Sequence, residues 1–474
     1  MKRIDKKITF GVIVGTRGFF NPKLAQAGRR QLERQLKKLG YDHVILPAAA
    51  TEHGAIETYA HAKQCAQLFQ SRRQDIDGVI VVLPNFGDEL GVVQTLDLAR
   101  LHVPVLVQAC NDTLDALDVS ARRDAFCGKI SVCNNLVQYG IPFTDTTEHT
   151  CDIDSQVFAQ DLDRFARVCR VVRGLRTARI GQIGTRPAAF QTVRFSEKLF
   201  QDSGITVIPV DLSDLFAAAQ ALDDKAAGVR RKISEIRAYG DIPAEVSKEQ
   251  VARQARLSVA LDQWMEANEC DASAVQCWNS VQNNYGCAAC LSMSLMGEHH
   301  RPSACEVDVA GAVSMYALLL ASGQAPGFLD WNNNYGLEKD KCACTHCSNL
   351  PKAFVGRGVE ISPLDLLGET LGRAKCFGAI KGHVAPGDMT YFRVSTDDSM
   401  GSIKTYLGEG RFTDDPFDMD GGIAVCKVDR LRDLLAYICR NGFEHHVAMT
   451  RTYCADVLEE AVSRYLGWDL YRHA

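Results

Sequence analysis

Short apolar runs that alternate with helix-patterned segments are the feature that most restricts how this chain can fold. Ile8–Val14 is such a run, Pro22–Leu39 then places leucines at helical spacing, and Gly78–Leu83 reads GVIVVL. The last run is rich in β-branched residues, which is typical of a parallel strand buried on both faces. The β–α–β order predicts a doubly wound α/β sheet in residues 1–170, the first of three predicted domains.

The same order begins again in residues 171–355, which form the second predicted α/β domain. Ala178–Ile183 and Ile205–Val210 are predicted strands because both are short and rich in isoleucine and valine. Phe190–Ser203 is predicted to be a helix between them, and Val275–Trp278 is predicted to be a further strand. Two Rossmann-like domains therefore make up about three quarters of the expected fold.

From Val355 onward, glycine and threonine become frequent and the apolar runs alternate with polar residues. Thr390–Ser395, Ile403–Leu407 and Gly422–Val428 show this alternation, which is typical of strands with one exposed face. Residues 356–474 are therefore predicted to form a smaller, β-rich and barrel-like carboxy-terminal domain.

The composition excludes several classes of partner. Lys and Arg number 53 against 58 Asp and Glu, a formal net charge of -5, so no general attraction for nucleic acid or an anionic membrane is expected. The longest apolar stretch, near Ala317–Ala321, is far too short to span a bilayer. Eighteen cysteines without a signal-peptide pattern predict reduced thiols in a cytoplasmic protein.

The predicted sheets are not accompanied by a glycine-rich phosphate-binding loop. Gly11 lies in the first run and Gly15 and Gly18 follow it, but their spacing is not that of a dinucleotide fingerprint, and no P-loop motif occurs. Tight βα turns explain these glycines better, so no nucleotide cofactor is expected.

A cysteine cluster offers one possible metal site. Cys287 and Cys290 form a C-x-x-C pair, and Cys342, Cys344 and Cys347 follow some fifty residues later. This is enough sulfur for structural zinc or an iron–sulfur cluster. The competing interpretation is that the first pair belongs to a buried helix, where cysteine packs as a small hydrophobe.

Oxygen and nitrogen ligands form a second constellation. Glu306 lies in a small-residue stretch that opens a helix, Asp330 follows an apolar pair, and His346, His445 and His446 come later in the chain. Each residue alone has an ordinary explanation, since a buried carboxylate usually pairs with a basic residue and paired histidines are commonly surface or core residues. Together they are the ligand set of a divalent cation such as Mn²⁺.

These segments carry a resemblance to a known family. The chain resembles the L-fucose isomerase and L-arabinose isomerase superfamily, and the similar motifs occur in the expected order across all three predicted domains. The motifs are RPAAFQTVRFSEKL at Arg186–Leu199, QCW at Gln276–Trp278, ACEVDVAGA at Ala304–Ala312, LDWNN at Leu329–Asn333, HCSNLP at His346–Pro351, GHVAPGDMTYFRVSTDD at Gly382–Asp398 and HHVAM at His445–Met449.

The resemblance implies roles for the second constellation. It places Mn²⁺ binding and acid–base catalysis on Glu306 and Asp330, a metal ligand at His446, and a fourth ligand at His346. Asp at position 330 is similar to the fucose enzymes, whereas His346 and the HH pair are similar to the arabinose enzymes. The sugar is therefore left open between a deoxyhexose, a pentose and a sugar modified at C6, such as a sulfosugar.

Substrate contacts are expected from residues around this centre. If the HHVAM run is a strand, His445 should point away from the metal ligand His446, because neighbouring side chains alternate. In the fucose enzymes, an arginine of the first domain reaches a neighbouring subunit's site, which makes Arg17 the candidate here. The expected substrate-binding residues are Arg17, Gln276, Trp278, Asn332, His383 and His445.

The expected function is Mn²⁺-dependent isomerisation of an aldose to its ketose. Moving a proton between C1 and C2 needs an acid, a base and a cation, and it passes through an enediolate. The implied assembly is a homohexamer with shared active sites, and its partner is a small-molecule sugar. The alternatives are a non-catalytic sugar-binding protein and a cysteine-ligated zinc or iron–sulfur enzyme.

Overall fold

The computed structural model describes residue 4 and residues 6–474 of the chain. Contacts divide the chain into two compact units, each of which is described by itself. The first unit is Met1–Arg173 with Glu460–Gly467, and the second is Gly174–Glu459 with Trp468–Ala474.

The first unit is built on a five-stranded parallel sheet in the order β2-β1-β3-β4-β5. Its core strands are buried along their whole length, as the run at Gly78–Leu83 predicts. The elements are β1 Thr9–Val14, α1 Pro22–Leu39, β2 Asp42–Ile45, α2 Tyr59–Ser71, β3 Gly78–Leu83, α3 Glu89–Ala99, β4 Val105–Ala109, α4 Ala125–Gln138, β5 Thr144–Asp145 and α5 Gln156–Leu175.

Local sequence fixes the ends of helix α1. The side chain of Asn21 accepts a hydrogen bond from the backbone N–H of Lys23, and Pro22 occupies the first turn, where its missing N–H costs nothing. Gly40 ends the helix with a left-handed φ of 83°, a conformation that glycine adopts without steric cost. The predicted and observed helices therefore coincide.

The second unit begins with a four-stranded parallel sheet in the order β7-β6-β8-β9. Its helices are amphipathic or, like the helix after β9, buried almost throughout. The elements are β6 Arg179–Ile183, α6 Glu197–Asp202, β7 Thr206–Val210, α7 Leu212–Gln220, α8 Ala227–Tyr239, α9 Lys248–Ala267, β8 Ala272–Val275, α10 Cys290–Glu298, β9 Ser303–Cys305 and α11 Val309–Ser322.

The rest of the second unit is a nine-stranded mixed sheet in the order β12-β13-β16-β11-β10-β17-β14-β15-β18, and a further β15–β16 pairing closes six of the strands into a ring. Large apolar side chains such as Tyr391, Tyr406 and Phe412 pack in its core. The elements are β10 Gly327–Tyr335, β11 Glu338–His346, α12 Lys352–Val355, β12 Glu360–Pro363, α13 Asp365–Leu371, β13 Phe377–His383, β14 Gly387–Asp397, β15 Ser402–Thr413, β16 Gly422–Lys427, α14 Leu431–Arg440, β17 His446–Thr450, α15 Ala455–Glu459 and β18 Asp469–Arg472.

The predicted fold class is confirmed, since two parallel α/β sheets precede a barrel-like β-rich sheet. The domain bounds 1–170, 171–355 and 356–474 remain predictions. No helix within the described part of the chain is both long and apolar enough to cross a membrane.

Two local predictions are wrong. The helix expected at Phe190–Ser203 is a loop with one turn at Gln191–Val193, and only Glu197–Asp202 is α-helical. Tertiary contacts override the helical pattern here, because the Phe190 ring packs against the indole of Trp278. The strand expected at Val275–Trp278 ends at Val275, since the small residues before it form the buried strand β8 instead.

Helix α4 approaches the loop after β3 so closely that only glycine fits at position 128. A Cβ at Gly128 would overlap the backbone carbonyl of Phe86. We expect Gly128→Ala to destabilise the protein by about 1–3 kcal/mol, because a backbone carbonyl has little freedom to move aside. Urea denaturation measures the change.

Gly228→Ala is the matched control for this prediction. Gly228 also lies in a helix, but the nearest atom to its added Cβ is Val259 Cγ1 at 3.9 Å. Here the substitution should leave stability unchanged or raise it by up to about 1 kcal/mol, because alanine favours the helix. Equal effects of the two substitutions would contradict the conclusion that close packing excludes a Cβ at position 128.

Candidate metal and active site

The site lies in the second unit, where strand ends from its two sheets meet. Strands β6, β8 and β9 are parallel, so the segments that follow them emerge at one edge, including Gln276–Trp278 and Glu306. The barrel supplies Asp330 on β10 and His446 on β17, which are directly paired across antiparallel strands. His346, the last residue of β11, completes the group.

The backbone between β9 and α11 is strained where it presents the glutamate. Glu306 and Val307 have φ values of 61° and 58°, in the left-handed region that residues with a Cβ seldom occupy. Such a conformation costs of order 1–3 kcal/mol per residue and is typical of functional sites. Asp308 then caps α11 by accepting a hydrogen bond from the Gly311 N–H at 2.7 Å.

The charged side chains converge on the Nε2 atom of His446. This atom lies 3.1 Å from Glu306 Oε2 and 3.5 Å from Asp330 Oδ1. His346 Nδ1 is 3.4 Å from the same Asp330 oxygen. The imidazoles and Glu306 are almost fully buried, whereas the Asp330 side chain is 26% exposed and so faces the open side of the site.

The donor set fits a divalent cation. The buried atoms Glu306 Oε2, Asp330 Oδ1, His346 Nδ1 and Nε2, and His446 Nε2 form no hydrogen bond with the described residues. Buried polar atoms without partners are uncommon, and a cation would satisfy them. Two groups have ligand atoms within 4.8 Å of one another: Glu306 with His346 and His446, and Asp330 with His445 and His446. Carboxylate oxygens with imidazole nitrogens suit Mn²⁺-type ions.

Protonation in the cluster follows from its charges. Burial lowers the pKa of His446, but the adjacent carboxylates of Asp308 and Glu306 outweigh burial and raise it to about 10. Burial likewise opposes the charged forms of His346 and Asp330, yet their mutual attraction raises the pKa of His346 and lowers that of Asp330. A cation that binds here must displace these protons, so its affinity should fall as pH falls.

Aromatic side chains form one wall of the site. The Trp278 indole N–H donates a hydrogen bond to Glu306 Oε1 at 3.2 Å, leaving Oε2 to face His446. The Phe190 ring stands edge-on to Trp278 at 4.8 Å and lies 6.1 Å from the ring of His445. The Gln276 side-chain oxygen accepts from the Thr185 N–H, so Gln276 supports the loop that carries Phe190.

The prediction that His445 points away from the site is wrong. Its Nε2 lies 4.0 Å from Asp330 Oδ1, and its ring is 4.2 Å from that of His446. The reason is that β17 begins at His446, so side-chain alternation does not extend back to His445.

Three other candidate residues lie outside the convergent group. The Asn332 side chain is exposed and donates to Thr345 Oγ1 on the neighbouring strand. His383 ends β13 with a buried Nε2 that has no hydrogen-bond partner among the described residues. Arg17 belongs to the first unit, where its guanidinium pairs with Glu89 and lies 4.4 Å over the Phe86 ring.

The predicted cysteine cluster does not form one centre. Cys342 and Cys344 lie side by side on β11, with their sulfurs 3.8 Å apart, whereas Cys287, Cys290 and Cys347 pack in a separate apolar cluster, in which Cys290 and Cys347 are in contact. No cysteine belongs to a potential metal group among residues 4 and 6–474. Four of these five thiols are buried, the environment that the competing interpretation predicts.

Sequence reasoning missed Arg393, Glu444 and the role of Asp308. Arg393 is completely buried and makes two hydrogen bonds to Asp308, at 2.6 and 3.0 Å, and one to Glu444 at 3.0 Å. Its position inside the apolar run MTYFRVS was the available signal, because a buried arginine requires a carboxylate partner.

Comparison with known proteins gives two family matches. The model of the fucose/sulfoquinovose isomerase N-terminal domain matches residues 11–176, and that of the L-fucose isomerase C-terminal domain matches residues 344–473. A sulfoquinovose isomerase of Priestia aryabhattai is 25% identical over 382 residues, which cover 79% of this chain and 80% of that protein. One of Alkalicoccus urumqiensis is 26% identical over 316 residues, covering 65% and 67% respectively.

The geometry predicts that chelator-treated protein binds one Mn²⁺ per chain. Ligand binding to the folded state alone should raise its stability by about 2.7 kcal/mol at 100 times the Kd. His446→Gln should abolish most of this gain, because an amide replaces the central imidazole. Titration calorimetry and thermal denaturation measure both quantities.

His299→Gln serves as the control, since this half-exposed histidine pairs with Glu235 and is not part of the cluster. It should bind Mn²⁺ like the unmodified protein. Equal binding by His446→Gln would show that the cluster does not hold the ion.

Proposed function

Because the chain belongs to the fucose isomerase-like proteins, we propose that this aldose–ketose isomerase acts on a sulfonated sugar at a Mn²⁺ centre of Glu306, Asp330, His346 and His446. The observation that carries the proposal is the convergence of these carboxylate and imidazole side chains at the strand ends of the second unit. The choice of sugar is supported by the curated relatives, which are named sulfoquinovose isomerases.

The reaction requires a proton to move between C1 and C2 of the open-chain sugar. A carboxylate removes the proton from C2 of the aldose, an enediolate forms, an acid returns a proton to C1, and the hydroxyl proton of O2 passes to O1. Two carboxylates beside one substrate can serve both directions by exchanging these roles. We assign these acid and base roles to Glu306 and Asp330.

The two carboxylates have different surroundings, which suit them to different roles in the proton transfer. Trp278 fixes one oxygen of Glu306, so the other oxygen keeps a defined direction toward His446 Nε2 at the centre of the cluster. Asp330 is 26% exposed and its pKa is lowered by His346 against the effect of burial, so it is ionised and accessible. Mn²⁺, when bound by the same residues, supplies positive charge that stabilises the developing oxyanion.

The second unit offers candidate contacts for the sugar. Trp278, Phe190 and His445 present an aromatic wall suited to the C–H face of a sugar. Arg186, on the loop after β6, donates to the backbone carbonyls of Pro187 and Ala188 in its own loop, and Arg17 of a neighbouring subunit is the second candidate. We propose that these arginines attract the sulfonate.

A sugar pair that differs only in the sulfonate tests the substrate class. Sulfoquinovose and its desulfonated analogue quinovose should be assayed for ketose formation with Mn²⁺, alongside L-fucose and L-arabinose. We expect kcat/KM to be at least about 10²-fold higher for the sulfonated sugar, because a charge-assisted pair adds several kcal/mol. A preference for quinovose, L-fucose or L-arabinose would contradict the sulfonate assignment. Sugar binding without turnover would favour the non-catalytic alternative.

Glu306→Gln tests the acid–base role. We expect turnover to fall by at least about 10²-fold while the fold is kept, because an amide accepts no proton from carbon. Circular dichroism and bound Mn²⁺ should be measured on the same sample. Glu298→Gln is the control, since Glu298 bonds Tyr239 and the Ala353 N–H rather than the site. Normal activity in folded, metal-loaded Glu306→Gln would refute the role.

We further propose that the active assembly is a homohexamer in which Arg17 serves a neighbouring subunit's site. Arg17→Ala should then raise KM several-fold with little change in Tm. Arg72→Ala is the matched control, because it also removes an arginine–carboxylate pair from the first unit, that with Asp75. A fully active monomer in analytical ultracentrifugation would contradict the shared site.

A further inference from the structure

The Nδ1 side of the His446 ring contacts a buried carboxylate, that of Asp308, which has no role in the proposed isomerisation. Asp308 Oδ2 lies 2.8 Å from His446 Nδ1, on the side of the ring opposite to the Nε2 that faces Glu306 and Asp330. Both side chains are completely buried. The contact is therefore inaccessible to solvent and to substrate.

Every donor around Asp308 points at its carboxylate. Oδ1 accepts from the Gly311 N–H at 2.7 Å and from Arg393 Nη2 at 3.0 Å, and Oδ2 accepts from Arg393 Nη1 at 2.6 Å. With His446 Nδ1, four N–H groups occupy the acceptor positions of two oxygens. No position is left for a proton on Asp308, so the proton of this contact resides on His446 Nδ1.

Arg393 is itself fixed in place. Its Nε donates to Glu444 Oε2 at 3.0 Å, and the other Glu444 oxygen accepts from Ser395 Oγ at 2.9 Å. The arginine fork thus fits Asp308 on one side and Glu444 on the other, both buried. A bidentate pair of this kind sets the plane of the carboxylate as well as its position.

We propose that Asp308 is a positioning residue that fixes the ring orientation and the tautomer of His446, and that Arg393, held by Glu444, keeps Asp308 in place. With its proton on Nδ1, a neutral His446 directs the Nε2 lone pair at the space between Glu306 and Asp330. Histidine ligands of metals are oriented in this manner by a partner on the other ring nitrogen. The inference rests on the proposed function in that it takes the cluster to be a metal site.

Asp308→Asn in the full-length protein tests the role. With its oxygen in the Oδ1 position, where the Gly311 N–H and Arg393 Nη2 both donate, the new amide presents an NH₂ group to Nδ1, which must then accept and leave the ring proton on Nε2. We expect the affinity for Co²⁺, used alone as the probe, to fall by about 10- to 100-fold in titration calorimetry. The visible d–d absorption of bound Co²⁺ should also change, because an imidazole ligand is lost.

Asp77→Asn is the matched control. It removes the same charge from a buried aspartate that pairs with an arginine, Arg173, and accepts from the Thr9 N–H, but Asp77 belongs to the first unit and takes no part in the proposed network. Its Co²⁺ affinity should stay within about threefold of the unmodified protein, and its Co²⁺ spectrum should be unchanged. Equal losses in both variants would mean that the loss of any buried carboxylate weakens binding and would overturn the proposal, as would normal binding by Asp308→Asn.

Arg393→Lys carries the test if Asp308→Asn does not fold. Lysine keeps the positive charge but lacks the fork, so Asp308 is free to rotate and Co²⁺ affinity should fall measurably while urea denaturation shows a folded protein. Unchanged affinity in this variant would overturn the proposal. Absence of Co²⁺ binding by the unmodified protein would overturn the metal centre itself, and the two failures are thereby distinguished.

Discussion

The buried pair between Asp308 and Arg393 is the interaction on which the rest of the site depends. Asp308 begins helix α11 after the parallel sheet, and Arg393 lies on β14 of the barrel, 85 residues later. Glu306 is two residues before Asp308, and His446 contacts the same carboxylate. The pair therefore holds Glu306, which follows the parallel sheet, close to His446, which belongs to the barrel. Removing one partner would leave an uncompensated buried charge, at a cost of about 3–5 kcal/mol.

The site is built at the expense of local stability. Left-handed backbone at Glu306 and Val307 and unpartnered buried donor atoms are both unfavourable by themselves. They persist because the surrounding core, packed around residues such as Phe328 and Leu329, holds the strand ends in place. A bound cation recovers part of this cost by giving the donors a partner, which links metal binding to folding.

The sequence predicts most of the architecture because patterns within a short segment are enough to predict most strands and helices. The GVIVVL run at Gly78–Leu83 and the capped helix at Pro22–Leu39 need no tertiary information. The side-chain types of Glu306, Asp330 and His446 indicated a divalent-cation site, but their individual roles in one centre were expected only from motif resemblance, since these residues are far apart in the chain.

What sequence reasoning missed depends on contacts between distant segments. The loop at Phe190 has a helical pattern, but packing on Trp278 holds it out of a helix. Arg393 stands out in the apolar run MTYFRVS, but only the fold shows that its partner is Asp308. The direction of His445 depends on where β17 begins, and strand alternation cannot supply that boundary.

Isomerisation in D₂O tests the central claim that carboxylates of this site carry a proton between two sugar carbons. The sugar should be equilibrated with the Mn²⁺-loaded enzyme, recovered free of protein and metal, and analysed by mass spectrometry and NMR. The account predicts solvent deuterium at C1 of the ketose or C2 of the aldose, because a proton held by Glu306 or Asp330 exchanges with solvent. Complete interconversion with no deuterium at either carbon would indicate direct hydride transfer and contradict it.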